Sequence, residues 1–108
     1  MISTVKVVQP SGTLDGKKGN ELRREIESIV ATGAQIVLID LQDVNFMDSS
    51  GLGALVSAQR MVKTAGGKLF LCSVKDQVKM LFDLTKMSRV FEILADREEF
   101  NNKVTPGQ

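Results

Sequence analysis

The sequence predicts an α/β domain of successive β-α units, with about four mainly parallel strands and helices packed on them. Three observations predict it. Short β-branched or apolar runs alternate with stretches whose apolar residues recur at helical spacing. One run, "QIVLIDL" (35–41), is apolar almost throughout, which suits a strand buried on both faces of a parallel sheet. The links between runs are short, so each helix can serve as the crossover between two parallel strands.

In order, "TVKVV" (4–8) is rich in β-branched residues and predicts the first strand. "QPSG" bends or breaks it, and "TLD" follows. From Gly16 to about Ala31, Leu22, Ile26, Ile29 and Val30 fall on one helical face. Asp15 is placed to cap that helix, and Gly33 lies just past its end. "QIVLIDL" is the second strand, and "QDVNFM" links it to the next helix. That helix runs to about Ala65, with Leu52, Leu55, Val56 and Val62 as its stripe, and "GG" (66–67) stops it. "KLFLC" (68–72) is the third strand. Ser73 with Asp76 forms a capping pattern before a helix carrying Val78, Leu81 and Phe82 on one face. "VFEIL" (90–94) is the fourth strand. Asp96 and Glu99 repeat the capping pattern for a short last helix anchored by Phe100. The expected core spans about 4–103 of one domain covering 1–108, with 104–108 frayed.

Composition narrows the function. Among 108 residues, 14 basic and 13 acidic side chains nearly cancel, no basic block stands out, and Trp and Tyr are absent. A nucleic-acid partner is therefore not expected. There is no histidine, which excludes a Ser-His pair and most zinc sites. No P-loop, GxGxxG or GxSxG motif occurs, so neither a cofactor nor a metal is expected. Serine without histidine, or without an evident lysine beside it, is poorly activated, so an enzyme is not expected either. Cys72 is the single cysteine and stands in a strand-like run, where a buried, inert thiol is expected. No apolar run reaches membrane-spanning length, and the first residues lack the pattern of a secretory leader. With one cysteine, this points to the cytosol.

The distinctive stretch is "FMDSSGLGAL" (46–55), where a helix begins. Aspartate and serine are preferred caps, contributing about 1 kcal/mol. A cap needs one such residue, and Asp48, Ser49 and Ser50 supply three. Gly51 and Gly53 flank Leu52 in the first turns, where glycine costs up to about 1 kcal/mol relative to alanine. They either open the serine hydroxyl to an approaching backbone or allow tight packing of helix on sheet. A helix start also carries free amides and partial positive charge, which suits a phosphate. Parallel strands gather their strand-to-helix loops on one sheet edge, so Asp15 and the 48–50 cluster are expected to be neighbours.

"VNFMDSSGLGAL", with "GTLD" upstream and "GGKLFLCSVKDQVKMLFDLTKM" downstream, resembles the bacterial anti-sigma-factor antagonists, which are single STAS domains. The resemblance runs over residues 4 to 94 and implies a superhelical sheet of β/α turns. It implies a phosphorylation switch. The unmodified domain binds a serine kinase that doubles as an anti-sigma factor, which frees the sigma factor. The kinase phosphorylates the serine before the glycine, here Ser50, with Ser49 as the alternative. A PP2C-type phosphatase resets the domain. Asp15 and Asp48 match acidic positions beside the family's phosphoserine, and the loop with Ser49, Gly51, Leu52 and Gly53 opens the expected partner face. One departure stands out: the edge strand that usually precedes the equivalent of "TVKVVQ" is short or missing, since only Met1 to Ser3 come before it. Two other functions compete, a sensor of nucleotides or small ligands at the strand-end edge and a scaffold that assembles with like domains or serves a pathway without a sigma factor.

Overall fold

The structure, a computed structural model, describes residues 4–104. The chain runs β1 (Val5–Val8), β2 (Ser11–Leu14), α1 (Gly16–Ala31), β3 (Ile36–Asp40), β4 (Asp43–Met47), α2 (Ser49–Thr64), β5 (Lys68–Cys72), α3 (Asp76–Thr85), a 3-10 turn (Met87–Arg89), β6 (Glu92–Leu94) and α4 (Arg97–Val104). Four strands form a parallel sheet in the order β1-β3-β5-β6, as the alternation of strand and helix patterns predicts. The all-apolar run in β3 lies at its centre, with Val37, Leu38 and Ile39 fully buried.

The two faces of the sheet are covered differently. Val37, Ile39, Leu69 and Leu71 point toward α1, α2 and α3 and join Leu22, Ile26, Leu55, Val78 and Phe82 in the main core. Leu38, Phe70, Cys72 and Leu94 point the other way and meet Phe100 of α4. The predicted helical stripes are therefore the faces that are buried. Burial raises the pKa of the Cys72 thiol, which keeps it protonated and unreactive at neutral pH.

Two strands were not anticipated. β2 and β4 form a separate parallel pair, although "QPSG" reads as a break and "QDVNFM" as a link. They continue β1 and β3, which are themselves paired, so the four segments make one long bent ribbon. A bulge between Gly12 and Thr13 admits Asn45 as an extra residue in β4. The ribbon carries the ends of both strands beyond the main sheet.

Other boundaries also differ. The fourth strand contracts to Glu92–Leu94, because the Val90 amide turns back to the Met87 carbonyl and Phe91 stacks on Phe82 with ring centroids 5.7 Å apart. Ser73 does not cap α3. Its φ is 58°, its amide donates to the Ala95 carbonyl, and α3 starts at Asp76 without a side-chain cap. The last cap holds: Asp96 Oδ1 accepts from the Glu99 amide at 2.9 Å, and Glu99 Oε1 accepts from the Ala95 amide at 2.6 Å. Val104 closes α4, while 105–108 lie outside the described residues. The short or missing strand falls on residues 1–3, also outside them; among the described residues β1 is the sheet edge.

Asp40 is the one buried charged side chain among the described residues. Its Oδ2 accepts from Arg97 Nε at 2.6 Å and its Oδ1 from the Gln42 amide at 3.0 Å. Arg97 also donates to Gln9 Oε1. This network ties α4 to the bend between the two sheets and neutralises a carboxylate that burial would otherwise penalise.

Candidate functional site

The site is a product of the β2–β4 ladder. Leu14 lies opposite Met47 in register, and the next residue of each strand is an aspartate that starts a helix. Asp15 Oδ1 accepts from the Lys18 amide at 3.0 Å, and Asp48 Oδ1 accepts from the Gly51 amide at 3.0 Å. The two helix starts thus stand side by side at one edge, as the parallel arrangement predicts. The Asp48 amide donates to the Leu14 carbonyl at 3.3 Å, linking them directly.

The free edge of β4 is closed by a side chain. The Met47 amide donates to Gln77 Oε1 at 2.8 Å, and Gln77 Nε2 donates to the Met47 carbonyl at 3.1 Å. The carboxamide acts as one residue of a missing strand and fixes the backbone just before Asp48. Nothing in the sequence around Gln77 announces this role, because its partner lies 30 residues away.

Helices α1 and α2 meet closely at their first turns. A Cβ on Gly19 would stand 3.0 Å from the Ala54 Cβ and 3.5 Å from the Ser50 carbonyl oxygen. A Cβ on Gly51 would stand 2.0 Å from the Leu14 carbonyl oxygen, a position no side chain tolerates. Gly51 is therefore required for packing. Gly53 is different. A Cβ there would meet only Arg23 Nη2, at 3.9 Å, so packing places no demand on it. Of the two roles that the sequence left open, packing accounts for Gly51 and does not account for Gly53.

The predicted residues separate along the same line. Asp15, Asp48, Ser49 and Ser50 come together, with both serines exposed. Neither serine hydroxyl makes a hydrogen bond among the described residues, because Asp48 already fills the cap. Ser50 occupies the second helical position of α2, beside the start of α1, where a Cβ on Gly16 would lie 3.9 Å from its own. Gly51 and Leu52 turn inward; Leu52 is 7% exposed and belongs to the core, so its side chain anchors the helix and offers a partner little surface. Phe46, whose exposure no local pattern signals, leaves 48% of its surface exposed two residues before Asp48. Among the described residues no group of three or more His, Cys, Asp or Glu is placed to hold a metal ion, and no helix is long and apolar enough to cross a membrane.

A family model for the STAS domain matches residues 2–100. The anti-sigma-B factor antagonist of Bacillus subtilis (strain 168) is 35% identical over 91 residues, covering 84% of this chain and 83% of its own. Among solved structures, the anti-sigma factor antagonist SpoIIAA in its unphosphorylated form gives a TM-score of 0.73 at 21% identity, covering 98% of this chain and 94% of that one. The Bacillus cell fate determinant SpoIIAA in its phosphorylated form gives 0.70 at 19% identity, covering 94% of each chain. At these identities the solved structures bear on the fold, and the sequence matches carry the kinship. The chain belongs to the STAS domain family and is related within it to the anti-sigma-factor antagonists.

Proposed function

We propose that this chain is a phosphorylation-switched antagonist whose acceptor is the Ser50 hydroxyl. In its bare form it binds a serine kinase that doubles as an anti-sigma factor and thereby releases the sigma factor. Phosphorylation at Ser50 ends that binding, and a PP2C-type phosphatase restores it. The domain is the substrate and the binding partner, works in the cytosol, and catalyses nothing itself.

The observation that carries this reading is the division of labour at the start of α2. Asp48 caps the helix, which leaves Ser50 exposed and without a side-chain partner. A hydroxyl in that setting has no structural task and is open to transfer chemistry. Gly53, one turn further on, presents no side chain, and Phe46, two residues before Asp48, leaves 48% of its apolar surface exposed. The kinship with an antagonist of known class supports the choice of partner.

The switch is electrostatic. A phosphoserine carries about −1.5 to −2 charge at neutral pH. It would join Asp15 and Asp48 at the edge, while the amides of the first turn of α2 tolerate it without unfolding the helix. Two unit charges about 5 Å apart interact by roughly 1–3 kcal/mol at effective dielectrics of 80 down to 20. Any acidic group of the partner at that distance would weaken binding by about 10- to 100-fold.

The test uses purified chain with the cognate kinase and ATP, followed by tandem mass spectrometry. Phosphate is expected on Ser50 and absent from Ser50→Ala, which still binds the kinase. Ser50→Asp is expected to bind more weakly. Phosphate on Ser49 alone, or equal affinity of the phosphorylated and bare forms, would overturn the assignment.

A further inference from the structure

We propose that the outer groove between α1 and α2 binds a single-chain anionic amphiphile, with a medium-chain carboxylate as its simplest form. This site lies along the helices and away from the strand-end edge, and it does not rest on the serine switch.

The groove follows from how the two helices are built. They touch on glycine and alanine at their first turns, where Gly19 meets Ala54. Further along, a furrow of about 720 Å³ opens between them. That volume falls within the roughly 300–1,000 Å³ of small-molecule sites. Its apolar part comes from Val30, Met61 and Ala65, and its polar part from Arg23, Arg24 and Arg60 with Glu27. Three guanidiniums against one carboxylate leave a positive surplus. None of the three arginines forms an ion pair among the described residues, and Arg23 alone is engaged, donating to Asn20 Oδ1 at 2.6 Å. An apolar furrow edged by unneutralised arginines suits a ligand with an aliphatic body and an anionic head, since guanidinium forks match carboxylate oxygens.

The size of the groove decides between occupants. On α2 it runs from Ser57 to Ala65, roughly 12 Å at about 1.5 Å per residue. Two helical turns are too little for a self-standing protein interface, which buries about 1,200 Å² or more in total. They are enough for an alkyl chain of medium length.

The experiment is an NMR titration of the ¹⁵N-labelled full chain with sodium decanoate, below its micelle-forming concentration. Decyltrimethylammonium, sodium acetate and an acidic amphipathic helical peptide are titrated in parallel. Saturable shifts are expected at the amides of Val30, Met61 and Ala65 with decanoate, and not with acetate. Arg24→Gln/Arg60→Gln should weaken decanoate binding by about tenfold or more, while Arg24→Lys/Arg60→Lys should retain most of it. Thermal melts of both variants matching the parent would show that the fold is intact. Equal binding of the cationic amphiphile would overturn the proposal. So would no saturation with decanoate, an unchanged affinity of the glutamine variant, or shifts at these amides with the peptide and none with decanoate.

Discussion

Gly51 lies so close to Leu14 that a Cβ on it would come within 2.0 Å of the Leu14 carbonyl oxygen and 3.0 Å of Met47 Cγ. That oxygen belongs to backbone held in the β2–β4 ladder and also accepts from the Asp48 amide. It cannot yield without opening the ribbon. Gly51→Ala is expected to destabilise the protein by about 3 kcal/mol or more, as overpacking against backbone does. Gly53→Ala is expected to stabilise it by up to about 1 kcal/mol, because alanine favours the helix and meets no obstacle. Urea midpoints of the two variants should move in opposite directions. Similar shifts for both would contradict the contrast drawn between them.

The first turn of α2 should show a comparable asymmetry. Asp48→Ala removes the bond to the Gly51 amide and is expected to cost about 1 kcal/mol. Ser49→Ala and Ser50→Ala remove hydroxyls without partners and should change stability by less than about 0.5 kcal/mol. Chemical denaturation of the three variants checks this, and a serine variant as damaging as Asp48→Ala would show that the cap is shared.

Gln77 closes the edge of β4, and its loss should be local. Gln77→Ala is expected to cost about 1–2 kcal/mol, since two bonds to Met47 disappear at a half-buried position. Hydrogen exchange at the Met47 amide should accelerate more than at amides of the four-stranded sheet. Uniform acceleration across the molecule would mean that Gln77 supports the whole fold and not this edge.

Glu92 gives a pH dependence with a definite sign. The hydrogen bond from Lys103, with a further one from Lys68, holds its carboxyl below the ordinary value of 4.5. A depressed carboxylate contributes stability above its unfolded pKa, and that contribution is lost as the pH falls through the lower folded value. Glu92→Gln should therefore be less stable than the parent at pH 7 and converge with it in acid. The difference should shrink in high salt, because Lys68 and Lys103 are largely exposed. A gap between the two proteins that is independent of pH would argue against the ion pairs.

Where burial imposed a pattern, the elements were legible in the sequence. Val37 to Ile39 are buried on both faces and read as an unbroken apolar run, and Leu22 with Ile26 marks the inner face of α1. β2 was not legible, because only Leu14 of its four residues is buried and a bulge follows Gly12. β4 hides for a related reason: Val44 and Met47 are buried three residues apart, which breaks the two-residue alternation of a strand. The two helix caps were legible because caps are local, and Asp15 and Asp48 each bond an amide three residues on. Gln77, Phe46 and the packing duty of Gly51 were not, since each depends on a partner distant in the chain or on a surface that only the fold creates.

Because one carboxylate alone secures the opening turn of α2, the two neighbouring positions answer to no architectural constraint. A lineage can exchange either hydroxyl for another small residue and keep a sound domain. Under the proposed switch, a descendant lacking the Ser50 hydroxyl would be frozen in a single signalling state, so the same scaffold could give rise to permanent decoys as readily as to reversible switches.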